Sequence, residues 1–349
     1  MTRRLACLLM TWAIPIAADA QPAVISVAAT GDIMLGTDYP ENRLPDDDGV
    51  GFLRVISPVL QAADIAIGNL EGVILEGLEP AKSCENPQAC FLFRSPPRYA
   101  GYLRDAGYDV MSLANNHARD FGEDGRTATM AILDEYGLKH SGRRGDIATW
   151  VQAELRFAFI AFSPTLESYL LNDIPTAVEE VAALAANHDI VIVSFHGGAE
   201  GPDAMRLPFE EEFYFGETRG EVVRFAHAVI DAGADLVLGH GPHVPRAMEL
   251  YRDRLIAYSL GNFATYYGVS VAGNAGLAPI LVTELLPDGR FRAGRIHSAI
   301  QIRPHVPTWD AEQTLYELIR ELTEETFGAA LFEFSDDGSF VPGISASAQ

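Results

Sequence analysis

Basic residues are scarce in this chain: 25 Lys and Arg stand against 48 Asp and Glu, a formal charge of −23 over 349 residues. A nucleic-acid binder neutralises phosphates with clustered cations, so this balance argues against nucleic acid as a partner. Cysteine is nearly missing, at three residues. Long apolar runs are confined to the extreme N-terminus, and no later segment reaches the roughly 20 residues that a membrane-spanning helix needs. There is no nucleophile elbow, since Ser259 lies in Ala257-Tyr258-Ser259-Leu260-Gly261 without the first glycine of that motif. A phosphate-binding P-loop, a zinc-protease helix with paired histidines and a dinucleotide fingerprint are also absent. What remains is a chain 48% hydrophobic and 21% charged, the balance of a folded protein large enough to bury a substantial core. An anionic substrate would need a locally positive pocket in so acidic a protein, such as one made by a bound cation.

The N-terminus reads as a signal peptide over residues 1–20. Arg3 and Arg4 precede an apolar stretch from Leu5 to Ala18, and Ala18-Asp19-Ala20 is a small-x-small cleavage signature. Export to the periplasm or cell surface is therefore expected, by the general or the twin-arginine route. The mature chain from residue 21 stays acidic, at −24, because only two arginines and one aspartate leave. Cys7 leaves as well. Cys84 and Cys90 remain, and in an oxidising compartment a disulfide closing that short loop is expected over a zinc site, which lacks companion cysteines.

Short, branched, apolar segments alternate with helical patterns across the mature chain, the signature of an α/β domain. Strands are expected at Val24 to Ala29, Ile65 to Gly68, Val110 to Leu113, Phe157 to Phe162, Ile190 to Phe195, Leu236 to Leu238 and Leu255 to Ser259, with β-rich stretches near 280–286 and 292–302. Helices are expected at Phe52 to Ala63, Pro97 to Ala106, Arg126 to Tyr136, Thr176 to Asn187, Gly220 to Ala232 and Ala311 to Phe327. No linker divides the chain, so one domain over residues 21–334 is expected, with a flexible tail over 335–349. Residues 163–172 and 199–218 read as insertions of the kind that shape a site.

The chemistry gathers where strands end. Asp32 follows the first strand, Asn69 and Glu71 the second, and Asn115-Asn116-His117 the third. His196 follows the strand at 190–195, His240 and His243 that at 236–238, and Asn262 that at 255–259. Taken singly, these have plainer readings: turn or capping roles for Asp32 and the asparagines, a solvated carboxylate for Glu71, a satisfied core histidine for His196. Taken together, they lie at one topological location, the carboxyl ends of strands where open α/β sheets bind ligands. Four or five such oxygen and nitrogen donors around one point make a site for a divalent transition metal. Arg94, Arg98, Arg143 and Arg144 are candidate anion contacts or solvated surface residues.

The segments Gly31-Asp32-Ile33-Met34-Leu35-Gly36, Gly68-Asn69-Leu70-Glu71, Leu113-Ala114-Asn115-Asn116-His117, Phe195-His196-Gly197, Gly239-His240-Gly241-Pro242-His243 and Tyr258-Ser259-Leu260-Gly261-Asn262-Phe263 together resemble the CapA family of poly-γ-glutamate capsule biosynthesis proteins. That resemblance implies a calcineurin-like metallophosphatase fold, an α/β sandwich of two mixed β-sheets flanked by helices. It implies one or two divalent ions (Mn, Fe, Zn or Mg) held by Asp32, Glu71, Asn116, His196, His240 and His243. His117 is then the proton donor, and Asn69, Asn115 and Asn262 are substrate contacts. The implied function is a metal-dependent hydrolase or transferase acting on an anionic capsule polymer or a phosphoester, alongside membrane partners of capsule synthesis. A non-catalytic polymer-binding component and a general exported phosphatase or phosphodiesterase are the alternatives. The chain departs from the metallophosphatase pattern where Met34 replaces a histidine, and where the last pair is spaced His-x-x-His.

Overall fold

The computed structural model describes residues 24–82, 91–304 and 306–344. The proposed signal peptide and Cys84 and Cys90 lie outside the described residues. Two mixed sheets stack face to face. In the first, the spatial order is Phe332–Phe334, Ser339–Pro342, Phe291–Ile300, Leu277–Leu285, Ile25–Met34, Ile65–Leu70, Val110–Ser112 and Lys139–Ser141. In the second it is Met248–Tyr251, Arg254–Ala257, Leu236–His240, Ile190–His196, Leu155–Ser163 and Ala148–Gln152. The central strands are predominantly apolar and buried because both of their faces are covered, with polar residues gathering toward their carboxyl ends. Val27, Ile67, Phe157, Phe159, Ile192 and Leu238 fill the space between the sheets. Helices Ser57–Ala62, Tyr99–Ala106 and Gly122–Glu135 cover the outer face of the first sheet through Leu60, Leu103 and Leu133. Ile174–Ala185 and Val222–Asp231 cover the second through Val181 and Phe225. The expected sandwich of two mixed sheets flanked by helices is the architecture observed.

Register sets the site. Asp32 is level with Asn69 on one neighbouring strand and with Asn262 on the other. In the second sheet His196 is level with His240. The first strand reaches Met34, five residues beyond its expected end, because after an irregularity at Thr30 and Gly31 it keeps its parallel pairing with Ile65–Leu70 and exchanges its antiparallel neighbour Leu277–Leu285 for a parallel one, Asn262–Thr265. Gly31 is required there. A Cβ at that position would stand 2.0 Å from the Gly261 carbonyl oxygen, whereas glycine lets the Asp32 N–H donate to that oxygen at 2.9 Å.

Two expectations are corrected. The helix expected from Phe52 is α-helical only over Ser57–Ala62; the preceding residues form successive i to i+3 turns, with Pro58 opening the helix. The tail expected to be flexible from Ser335 is instead a strand at Ser339–Pro342. Phe340, 1% exposed, packs on Phe291, Phe332 and Phe334, so one buried aromatic overrides a small, polar composition.

Candidate metal centre

The carboxyl ends of both sheets meet at one cluster. Asp32, Glu71 and His196 are all buried, and each offers a ligand atom within 4.8 Å of the others. The acid side is held by amides. Asn69 Nδ2 donates to Asp32 Oδ1 at 2.8 Å and to Glu71 Oε2 at 2.7 Å. Asn115 Nδ2 in turn donates to Asn69 Oδ1 at 3.1 Å and to the Leu70 carbonyl at 2.8 Å. Asn262 Nδ2 donates to the carbonyls of His243, Ser270 and Ala275, which leaves its Oδ1 to accept from His243 Nδ1 at 3.1 Å. Asn69, Asn115 and Asn262 are buried and their amide donors are spent on protein. They brace the carboxylates and His243.

The imidazoles differ from one another. His196 Nδ1 approaches Glu71 Oε2 only to 3.6 Å, and neither of its nitrogens has a hydrogen-bond partner among the described residues. His243, in a left-handed backbone conformation (φ 59°), donates Nδ1 to Asp32 Oδ2 at 2.9 Å. Its Nε2 lies 3.8 Å from Glu200 Oε2. His240 donates Nε2 to the Thr30 carbonyl at 3.1 Å and accepts at Nδ1 from the Ser194 hydroxyl at 3.3 Å. Both of its nitrogens are thus engaged in tying the second sheet to the first strand. Asn116 keeps a buried side-chain oxygen with no partner among the described residues.

Burial and charge set the protonation. Burial, reinforced by the Asp32 carboxylate, pushes Glu71 up to about 8. Burial drives His196 well below the usual imidazole range. For His243 burial acts downward, but the hydrogen bond to Asp32 and the carboxylates of Asp32, Glu71 and Glu200 outweigh it and raise it to about 10. Asp32 is held below the ordinary aspartate range despite burial, chiefly by His243. The acid cluster around His243 thus favours its protonated form.

His117 stands beside this cluster. Its backbone N–H donates to Asn115 Oδ1 at 3.1 Å, its Nδ1 pairs with Asp120 Oδ2 at 2.8 Å, and its ring lies on Phe93 with centroids 4.2 Å apart. Asp120 also accepts from the Phe93 N–H and pairs with Lys82. Sequence reasoning missed Asp120, although its place three residues after His117 was a usable signal. It also missed Glu200 and Arg219, which the insertion at 199–218 and its last strand bring to the site. Of the arginines it proposed, Arg94 pairs with Asp38, Arg98 with Asp48 and Arg143 with Glu123. Met34 is buried against Phe93 and Val269 as a packing residue.

Residues 26–267 match the model of the bacterial capsule synthesis protein family. The chain belongs to that family. Its relatives include a capsule biosynthesis protein CapA of Bacillus anthracis, 26% identical over 90% of this chain and 76% of that protein. A PGA biosynthesis protein CapA of Bacillus subtilis is 24% identical over 87% of this chain and 79% of that protein. Among solved structures, a Thermus thermophilus 5'-nucleotidase precursor aligns over 86% of this chain and 59% of its own, with TM-score 0.43 and 13% identity. A purple acid phosphatase from yellow lupin aligns over 84% of this chain and 55% of its own, with TM-score 0.39 and 10% identity. The chain thus spans under two thirds of those two structures. The architecture assigned here rests on its own sheet topology.

Proposed function

We propose that this protein is an exported, metal-dependent hydrolase or transferase that acts on poly-γ-glutamate or a related anionic capsule polymer at the cell envelope. One observation carries the metal part: Glu71 Oε1 and both nitrogens of His196 are buried without hydrogen-bond partners among the described residues, beside Asp32. Orphaned buried donors and acceptors are costly, at about 1–3 kcal/mol each, and a cation is what a carboxylate oxygen and an imidazole lone pair both accept. Asp32, Glu71, His196 and the side-chain oxygen of Asn116 would hold it, with His243 at the edge. Because Met34 is a packing residue, the set suits one cation better than two. Bound there, a divalent ion supplies the positive charge that activates water and offsets charge developing on the substrate.

The chain's own residues do the rest. Asn69 and Asn115 fix the two carboxylates in one orientation, so little reorganisation is needed when the cluster takes up charge. Asp120 occupies His117 Nδ1 and orients the ring, leaving Nε2 as the nitrogen that gives a proton to a departing amine or alkoxide. The family match and the CapA relatives favour the capsule polymer as substrate, and the acidic sequence with its apolar N-terminal segment favours the envelope as its place. Among the described residues no helix is long and apolar enough to cross a membrane.

The test is metal analysis of the purified mature protein followed by turnover of γ-linked polyglutamate and of a phosphoester panel. Stoichiometric metal with cleavage of the polymer is expected. His117→Gln should lower that turnover by roughly 10²–10⁴-fold while retaining the metal. Stoichiometric metal with neither substrate class consumed would leave the polymer-binding alternative standing.

A further inference from the structure

Two arginines on or near the insertion at 199–218 are buried, and they are used differently. Arg246 is saturated: Nε donates to the Ala204 carbonyl at 2.6 Å, and the two terminal nitrogens donate to Glu212 at 2.9 and 2.6 Å. It pins the insertion to the second sheet. Arg219 sits at the irregularity in the second strand of the hairpin Glu212–Tyr214 and Glu217–Gly220, and its side chain is 5% exposed. It lies 2.9 Å from Glu200 Oε1 and 3.3 Å from Glu217 Oε2, over the ring of Tyr214. Its Nε has no hydrogen-bond partner among the described residues, and Glu200 Oε1 has none of hydrogen-bond geometry. The Arg219 carbonyl accepts from the Gly198 N–H at 2.9 Å, which fixes this residue beside the His196 turn. A buried guanidinium whose Nε is unpartnered, while its terminal nitrogens face Glu200 and Glu217, one carboxylate away from His243 and Asp32, is a cation with a donor left for another anion.

We infer that Arg219 is the subsite that takes a carboxylate of the substrate, and that Glu200 is the built-in carboxylate which the substrate's group displaces from it. This rests on the reading that the site acts on a γ-linked glutamate chain. In such a chain every amide nitrogen is attached to a carbon that bears a free carboxylate, so the anion lies two bonds from the linkage. Guanidinium nitrogens in a planar fork match a carboxylate through two parallel hydrogen bonds, which a lysine cannot reproduce. The released Glu200 has His243 as its remaining partner, since its second oxygen already stands 3.8 Å from Nε2. The guanidinium thereby faces the substrate's carboxylate while Glu200 keeps the His243 side, so each of the two anions has a cationic partner.

The test is calorimetric binding to the metal-loaded full chain, with three probes: a γ-linked glutamate oligomer, the same oligomer with its carboxylates converted to amides, and inorganic phosphate. The unmodified oligomer is expected to bind at least ~10-fold more tightly than the amidated one. Arg219→Gln should weaken the unmodified oligomer by roughly 10–100-fold and leave the amidated one unchanged, the range expected for hydrogen bonds to a charged group. Arg219→Lys should fall between, and Glu200→Gln should tighten binding a few-fold. Thermal melting checks each variant, and if Arg219→Gln does not fold, the lysine variant and Glu200→Gln carry the test. The assignment is overturned if the wild type shows no preference for the carboxylate oligomer, if Arg219→Gln affects both oligomers equally, or if only phosphate depends on Arg219. Binding and turnover are separate readouts. Arg219-dependent binding without cleavage would refute hydrolysis alone, and cleavage indifferent to Arg219 would refute this subsite alone.

Discussion

The end of the first sheet and the end of the second face the same cluster but are built on opposite terms. The first sheet delivers carboxylates, Asp32 and Glu71, each braced by the Asn69 amide that Asn115 braces in turn. The second delivers imidazoles, of which His240 is tied at both nitrogens and His196 at neither. Two buried acids repel each other and need rigid donors to stay together. A neutral imidazole can be left unpaired at lower cost and kept for a ligand. Rigidity thus belongs to the acid half of the site, and ligand-accepting capacity to the imidazole half.

The largest expected effect comes from removing charge on the acid half. Asp32→Asn takes away the carboxylate that both His243 and Asn69 hold, and metal affinity should fall by more than ~100-fold, since even outer partners of metal ligands are worth roughly 10–100-fold. Metal content after dialysis measures it, and a variant that retains full metal would break the comparison. Next come the two histidines. His196→Ala should lose metal by about 100-fold while melting near the wild type, whereas His240→Ala should cost about 1–3 kcal/mol of stability, as loss of buried hydrogen bonds does, with much less effect on metal. Equal metal loss in both would place them in one role. The smallest effect is on pH. Glu71, raised to about 8, holds its proton at pH 7, so a cation must displace it. Metal uptake should therefore release protons at pH 7, and affinity should climb as pH rises toward 8. Affinity that falls over that interval would reverse the sign and remove Glu71 from the ligand set.

Much of the arrangement was legible because polar residues at the ends of apolar strands are conspicuous: Asp32, Glu71 and His196 lie together, His243 bonds Asp32, and His117 stands beside them on Asn115. The roles of the amides were not legible. Asn69 and Asn262 announce hydrogen-bonding capacity, but whether an amide meets substrate or a neighbouring carboxylate depends on register, and Asp32 is level with both of them. The engagement of His240 was not legible for a related reason: the strand Ile25–Met34 is irregular at Thr30, whose carbonyl oxygen lies against His240. The last strand escaped notice because Ser335, Gly338 and Pro342 read as a frayed end, while Phe340 alone carries the packing.

The order of apolar segments along the chain, and the donors that terminate them, are properties of the sequence, because burial selects branched apolar strands and leaves polar chemistry for their ends. Which donors remain available was decided only by the folded molecule. Hydrogen bonds between residues as far apart as Thr30 and His240, or Asp32 and His243, determine whether a nitrogen is spent or left for a cation. Such pairings depend on how two sheets stack, and adjacency in sequence carries no record of that.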